Sequence, residues 1–191
     1  PFRSEQLILA PNVPRGTDVE VKTRRELSGY YAHIQATDRA IGRLLSQLPS
    51  TTIVVFTSVH GDMHGAHGLF RKGWPYEESI RVPLLVRGAP VKAAPTTASP
   101  SLASLTATHH LPISLVSLPA MTLSWAEGQP WTPTQGTVDI SMPSVVALPQ
   151  QCDRSWHGRR SPTHKWIYQA DGTLWLEFNL LEDPLEQRNL A

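Results

Sequence analysis

Thr51-Thr52-Ile53-Val54-Val55-Phe56-Thr57 runs directly into Ser58-Val59-His60-Gly61-Asp62-Met63-His64-Gly65-Ala66-His67-Gly68-Leu69-Phe70-Arg71-Lys72-Gly73. The first run is β-branched or aromatic throughout and uncharged. It predicts a strand buried on both faces, as in a parallel sheet between helices. The second run is rich in glycine and histidine and predicts a polar loop. In such sheets ligands sit beyond the carboxyl ends of the strands, where this loop would lie. His and Asp are metal ligands, and lysine is a compact cation suited to an oxyanion. From spacing alone two readings stay open: a metal or anion site, or a polar loop whose histidines pair with backbone.

Outward from this stretch, about Val21 to Leu48 reads as a helix. Leu27, Tyr31, Ile34, Asp38, Ile41, Leu45 and Leu48 fall on one face. Asp38 interrupts the apolar stripe, which predicts a hydrogen-bonded structural carboxylate facing the core. Residues 1–21 read as an extended lead-in, and Arg81–Arg87 as a second short strand with Pro83 near its start. Helix, strand, loop and strand together predict an α/β fold.

Toward the C-terminus the composition changes. Eight of the 17 prolines lie between Pro90 and Pro143, which predicts a connection (91–143) holding one short helix within Leu102–Leu118. Ser144–Leu148, His164–Ala170 and Leu174–Asn179 read as strands, and Asp171-Gly172 between the last two is a hairpin signal. Asp183-Pro184 predicts a short terminal helix, with Asp183 as cap. The expected organisation is therefore 1–90 as part of an α/β core, 91–143 as a connection, and 144–191 as a small antiparallel sheet plus helix.

The 191 residues carry a formal net charge of +1. That predicts no nucleic-acid partner. No apolar run is long enough to span a membrane. The single cysteine, Cys152, excludes an internal disulfide framework and reads as an ordinary thiol. Arg154, Arg159 and Arg160, beside Trp156 and His157, read as a solvated basic loop, with a rim that attracts anions as the alternative. His109, His110, His157 and His164 read as structural or solvated. His164-Lys165 could also line a cleft rim.

Four blocks, in order, resemble the sulfatase family of the alkaline-phosphatase superfamily. Phe56-Thr57-Ser58-Val59-His60-Gly61-Asp62-Met63, with His67-Gly68-Leu69 and Lys72-Gly73, is similar to "FTSDHGDM…HGL…KG". Tyr76 to Leu84 resembles "YEESIRVPLIV". Tyr30-Tyr31-Ala32-His33-Ile34 with Asp38, Gly42 and Arg43 resembles the helix that precedes the strand, and Phe178 to Leu190 resembles "LYDLENDPxExxNL". The resemblance implies a partial alkaline-phosphatase-like sandwich core with a small C-terminal sheet. It implies hydrolysis of a sulfate ester in the complete enzyme, a divalent metal (calcium as a rule), and a formylglycine nucleophile from an upstream C-x-P/A-x-R motif. It places His60 on the metal side and Lys72 on the sulfate, as the catalytic pair, and implies an anionic sulfated small molecule or glycan as substrate. Specificity is expected mainly from upstream pocket loops. Periplasmic or secreted placement is an expectation by family analogy, and no oligomeric state follows.

Two departures matter. Val59 stands where the family has an aspartate metal ligand, and a hard cation wants oxygen. A valine there extends the apolar strand with ease, and it predicts weak metal binding. The nucleophile motif is also absent, and Cys152 is no substitute, which predicts that the isolated chain is inactive and poorly soluble. The chain opens at Pro1, so an upstream segment is expected. The rival readings are a phosphonate monoester or phosphodiester hydrolase of the same superfamily, and an inactive pseudoenzyme or truncated remnant.

Overall fold

A computed structural model describes residues 2–90, 111–133, 136–145 and 147–191. After an extended lead-in, helix α1 spans Asp18–Leu45. Thr17 caps it by accepting from the Glu20 N–H, and the Glu20 carboxylate reaches back to the Gly16 N–H at 2.8 Å. The first turns of α1 pack Leu27 against Leu9 and Val13, and bury Thr23 against Gly65 of the loop. The second half does not pack. Ile34 is 44% exposed and Leu44 61%, and Asp38 is solvated rather than bonded in a core. The apolar stripe of α1 is real, but no described element covers its distal end.

Strands β1 (Val54–Thr57) and β2 (Leu84–Arg87) form an antiparallel pair, with Val54 opposite Arg87 and Thr57 opposite Leu84. The expectation of a parallel strand buried on both faces is corrected here. Val55, Phe56, Leu85 and Val86 all keep exposed surface, because no other described strand flanks the pair. Between the two strands lie the glycine-rich loop and a single helical turn, α2 (Glu77–Ile80).

Residues 91–110, which hold most of the helix expected within Leu102–Leu118 together with His109 and His110, lie outside the described residues. What is described begins later: a 3-10 turn at Leu115–Ser117 leads into α3, Leu118–Ala126, with proline in its first turn.

The second sheet is an antiparallel meander, β3 (Val138–Met142), β4 (Trp156–Arg160), β5 (His164–Gln169) and β6 (Leu174–Asn179), in that spatial order. Its last hairpin was legible in the sequence. Its first two strands were not: β3 precedes the expected Ser144–Leu148 strand, and the described residues of that segment are not in a strand. Arg159 and Arg160 sit on β4, so the expected solvated basic loop is partly sheet. Gly158 is required there, since a Cβ would lie 2.2 Å from the Trp166 carbonyl oxygen.

One face of this sheet builds the larger core. Cys152, Trp156, Ile167, Leu176, Phe178 and Leu180 are buried together and pack on Trp74, Tyr76 and Ile80 from the first region. Burial of these large side chains supplies the main hydrophobic gain, about 1.5–3 kcal/mol each. The expected terminal helix does not form. Residues 180–191 are a chain of turns, where the Asp183 carboxylate takes the Arg188 N–H at 2.7 Å and Glu186 holds a φ of 55°.

Candidate active site

The loop after β1 is built by its own backbone. The Gly61 N–H donates to the Ser79 carbonyl at 2.8 Å, and a Cβ on Gly61 would lie 1.9 Å from the Glu78 carbonyl oxygen. Only glycine permits that approach. Asp62 accepts from the N–H groups of His64 and Arg71 at 3.0 and 3.1 Å, so it braces the loop. Met63, 1% exposed, anchors it beneath.

The three clustered histidines separate in space. His64 turns to α1, with its ring 4.5 Å from that of Tyr30. His67 stacks on Tyr76 at 4.1 Å and lies 3.2 Å from the Asn12 amide nitrogen. Burial lowers the His67 pKa, although Glu78 and Asp183 pull it upward. Only His60 stays at the surface beside Lys72, its Nδ1 2.7 Å from the Gly61 carbonyl oxygen.

His60 and Lys72 line one cleft of about 380 Å³ together with Val59, Gly73, Trp74, Ser79 and Ile80. The opposite wall comes from the second sheet and its approach: Ile140, Ser141, Met142, Gln151 and Trp156. The sheet also grips the backbone next to the lysine, since Trp156 Nε1 donates to the Gly73 carbonyl at 2.8 Å. Within the loop region Trp74 Nε1 donates to the Phe70 carbonyl at 3.1 Å. This wall was not legible in the sequence, because Trp156 and Gln151 meet Lys72 only through the packing of the sheet.

Val59 does not extend β1. It lies past the strand's end and is 90% exposed, so its isopropyl group occupies solvent-facing space that a polar residue would fill freely. Among the described residues no group of three His, Cys, Asp or Glu side chains could hold a metal ion. Among the described residues His60 is then a single donor at the cleft, and one imidazole does not by itself fit a divalent cation.

Behind the cleft lies a buried charge cluster. Lys165 is fully buried and contacts Glu186 directly and Glu77 at 3.4 Å, while Arg160 reaches Glu77 at 3.3 Å. A Glu186 oxygen also takes the Glu77 N–H at 2.7 Å. Burial pushes the Glu186 carboxyl up to about 7, with Lys165 opposing. Burial also raises Glu77, but Lys165 and Arg160 outweigh it and leave that carboxyl below its usual range. Lys165 therefore does not line the cleft rim. It ties β5 and the terminal turns to α2, whose Ser79 and Ile80 face the cleft. A sequence signal did exist, since Lys165 is in phase with buried Ile167 on one strand. His164 instead stacks on Trp166 at 5.5 Å, and Cys152 is fully buried, as an ordinary thiol would be.

The sulfatase family model matches residues 8–128. The ulvan-active sulfatase of Formosa agariphila is 48% identical over 93 residues, covering 45% of this chain and 18% of that protein. The choline-sulfatase of Rhizobium meliloti is 30% identical across 98% of this chain and 37% of its own length. A solved structure in complex with its substrate, D-glucosamine-2-N,6-O-disulfate, superposes with a TM-score of 0.60 at 23% identity, covering 90% of this chain and 37% of that one. The chain thus spans little more than a third of the proteins it matches along most of its length. The family model covers more than half of the chain and the choline-sulfatase aligns with nearly all of it, so the chain belongs to the sulfatase family, within the alkaline-phosphatase superfamily.

Proposed function

We propose that this chain is the C-terminal part of a sulfuric ester hydrolase and supplies the sulfate-facing side of its active site. The observation that carries this reading is the shared cleft of His60 and Lys72. In this role the Lys72 ammonium neutralises a sulfate oxygen as negative charge develops there, and His60 stands on the metal side of the same cleft. The nucleophile is a formylglycine from the upstream half of the complete enzyme, so the isolated chain is inactive. The substrate is an anionic sulfate ester, as in the relatives named for sulfatase activity.

The family's divalent metal is held mainly by upstream carboxylates, with His60 as the contribution from this side. Val59 gives that site no oxygen, so calcium binds weakly. Replacing Val59 with aspartate adds one carboxylate at an exposed position and strengthens binding by orders of magnitude.

The test is sulfate release by the complete reading frame, with and without Val59→Asp, on a sulfated sugar and an aryl sulfate. Lys72→Ala should then lower kcat/KM by about a hundredfold or more. Hydrolysis of a phosphonate monoester with no release of sulfate from either ester would overturn the reading. Equal calcium affinity of the parent and its Val59→Asp variant would overturn the account of the metal.

A further inference from the structure

Lys72 enters the cleft from the end of its loop, and the residue before it holds a costly conformation. Arg71 has a φ of 65°. In that left-handed region an L side chain crowds the backbone, and glycine alone is free of the penalty. An arginine persists there only when its surroundings hold it. Both its backbone and its side chain are held. The Arg71 N–H donates to Asp62 Oδ1 at 3.1 Å, and its carbonyl accepts the Met63 N–H at 2.9 Å. The guanidinium leaves the loop for α1, where Nη1 and Nη2 donate to the two carboxylate oxygens of Glu26 at 3.0 and 3.3 Å. Asp62 Oδ2 lies 3.9 Å from Nη1, so the same cation also faces a carboxylate of its own loop.

We propose that Arg71 and Glu26 are positioning residues for Lys72: their forked ion pair locks the left-handed turn that aims the lysine ammonium into the cleft. The inference rests on the sulfate-binding reading of the His60–Lys72 cleft and adds what holds that cation in place. Two parallel N–H···O bonds fix the plane of the guanidinium as well as its distance, which a single ammonium would not do. The first turns of α1 are packed on the lead-in, so Glu26 is a fixed post. On the far side the Lys72 carbonyl accepts the Cys152 N–H at 3.4 Å. The peptide joining Arg71 to Lys72 is therefore held between α1 and the segment that leads into β4. The Arg71 side chain is 43% exposed, and an ion pair that open to solvent contributes little to global stability. Its effect falls on local geometry, where a displacement of about 1 Å in a group that binds the reacting centre can cost on the order of a hundredfold.

The experiment is calorimetric titration of the complete protein with inorganic sulfate. Parent, Glu26→Gln, Arg71→Gln, the two together and Arg71→Lys are compared, with thermal melts of the same samples. Each single Gln variant should raise the dissociation constant about tenfold. The double variant should raise it no further, because either change alone breaks the pair. Arg71→Lys keeps the charge without the fork and should lie between, at about threefold. Melting temperatures should stay within about 3 °C of the parent. Losses that multiply in the double variant, no loss in either single variant, or an Arg71→Lys variant that binds no better than Arg71→Gln would overturn the inference. So would a fall in melting temperature that tracks the loss of binding, or no binding of sulfate by the parent. Release of sulfate from phenyl sulfate, measured on the same samples, separates the two readings. Weakened, non-additive binding without turnover by the parent sinks hydrolysis and leaves the clamp. Turnover by the parent with sulfate affinity unmoved in the variants sinks the clamp alone.

Discussion

Replacing Lys165 with methionine removes the cation at the centre of the buried cluster that joins the C-terminal sheet to α2. In the parent, burial holds the Glu186 carboxyl at about 7 against an ordinary value of 4.5. The folded state thus binds this proton more tightly than the unfolded state does. The stabilisation from Glu186 is complete below about pH 4.5 and is lost as pH rises through about 7. At about 1.36 kcal/mol for each pH unit, it amounts to about 3 kcal/mol. Glu77 works in the opposite sense: its carboxyl is depressed, so its contribution is present above the ordinary carboxylate range and lost on acidification. Without Lys165, two carboxylates share a site with only Arg160 to oppose them, and Glu186 must hold its proton harder still. Removing one partner of a buried ion pair costs about 3–5 kcal/mol. The full cost is expected at about pH 8.5 and roughly half of it at about pH 6, where Glu186 can neutralise by protonation. Adding Glu186→Gln to Lys165→Met should recover most of the loss, since the amide oxygen still accepts the Glu77 N–H. Urea unfolding of the complete protein at the two pH values, followed by tryptophan fluorescence, measures all three variants. A loss below about 1 kcal/mol at both pH values, or an equal loss at both, would refute the reasoning.

Gly158→Ala should destabilise by about 3 kcal/mol or more, because the new Cβ meets the Trp166 carbonyl oxygen at 2.2 Å. Gly172→Ala, at a φ of 86° with nothing within 4 Å, should cost only the left-handed backbone term of about 1–2 kcal/mol. Thermal melts of the two variants compare collision with strain, and equal costs would contradict this. Trp156→Phe keeps a ring in the core but removes the donor to the Gly73 carbonyl. It should weaken binding of a sulfate ester about three- to tenfold by loosening the Lys72 segment, which calorimetry would show. The Cys152 thiol is buried and its pKa is raised by burial, so native protein should react with iodoacetamide far more slowly than urea-unfolded protein; equal rates would place the thiol at the surface.

The sequence by itself determined the elements whose signals are local. The helix of α1 follows from its 3.6-residue apolar period, but its start does not: it begins at Asp18, before the expected Val21, where Thr17 and Glu20 cap it. The β5–β6 hairpin follows from alternation on either side of Asp171-Gly172. The loop between β1 and α2, and the pairing of His60 with Lys72 across twelve residues, were carried by motif. Tertiary structure decided what depends on contact. Asp38 and the distal stripe of α1 are solvated because no described element covers them. β1 pairs antiparallel with β2 alone for the same reason. β3 and β4 are short, with a glycine and charged residues in their span, and become strands only through the ladder with β5. The terminal segment forgoes its helix because Glu186 is drawn into the core by Lys165. Gln151 and Trp156 reach Lys72 through sheet packing, a relation between residues some eighty positions apart that no local pattern encodes.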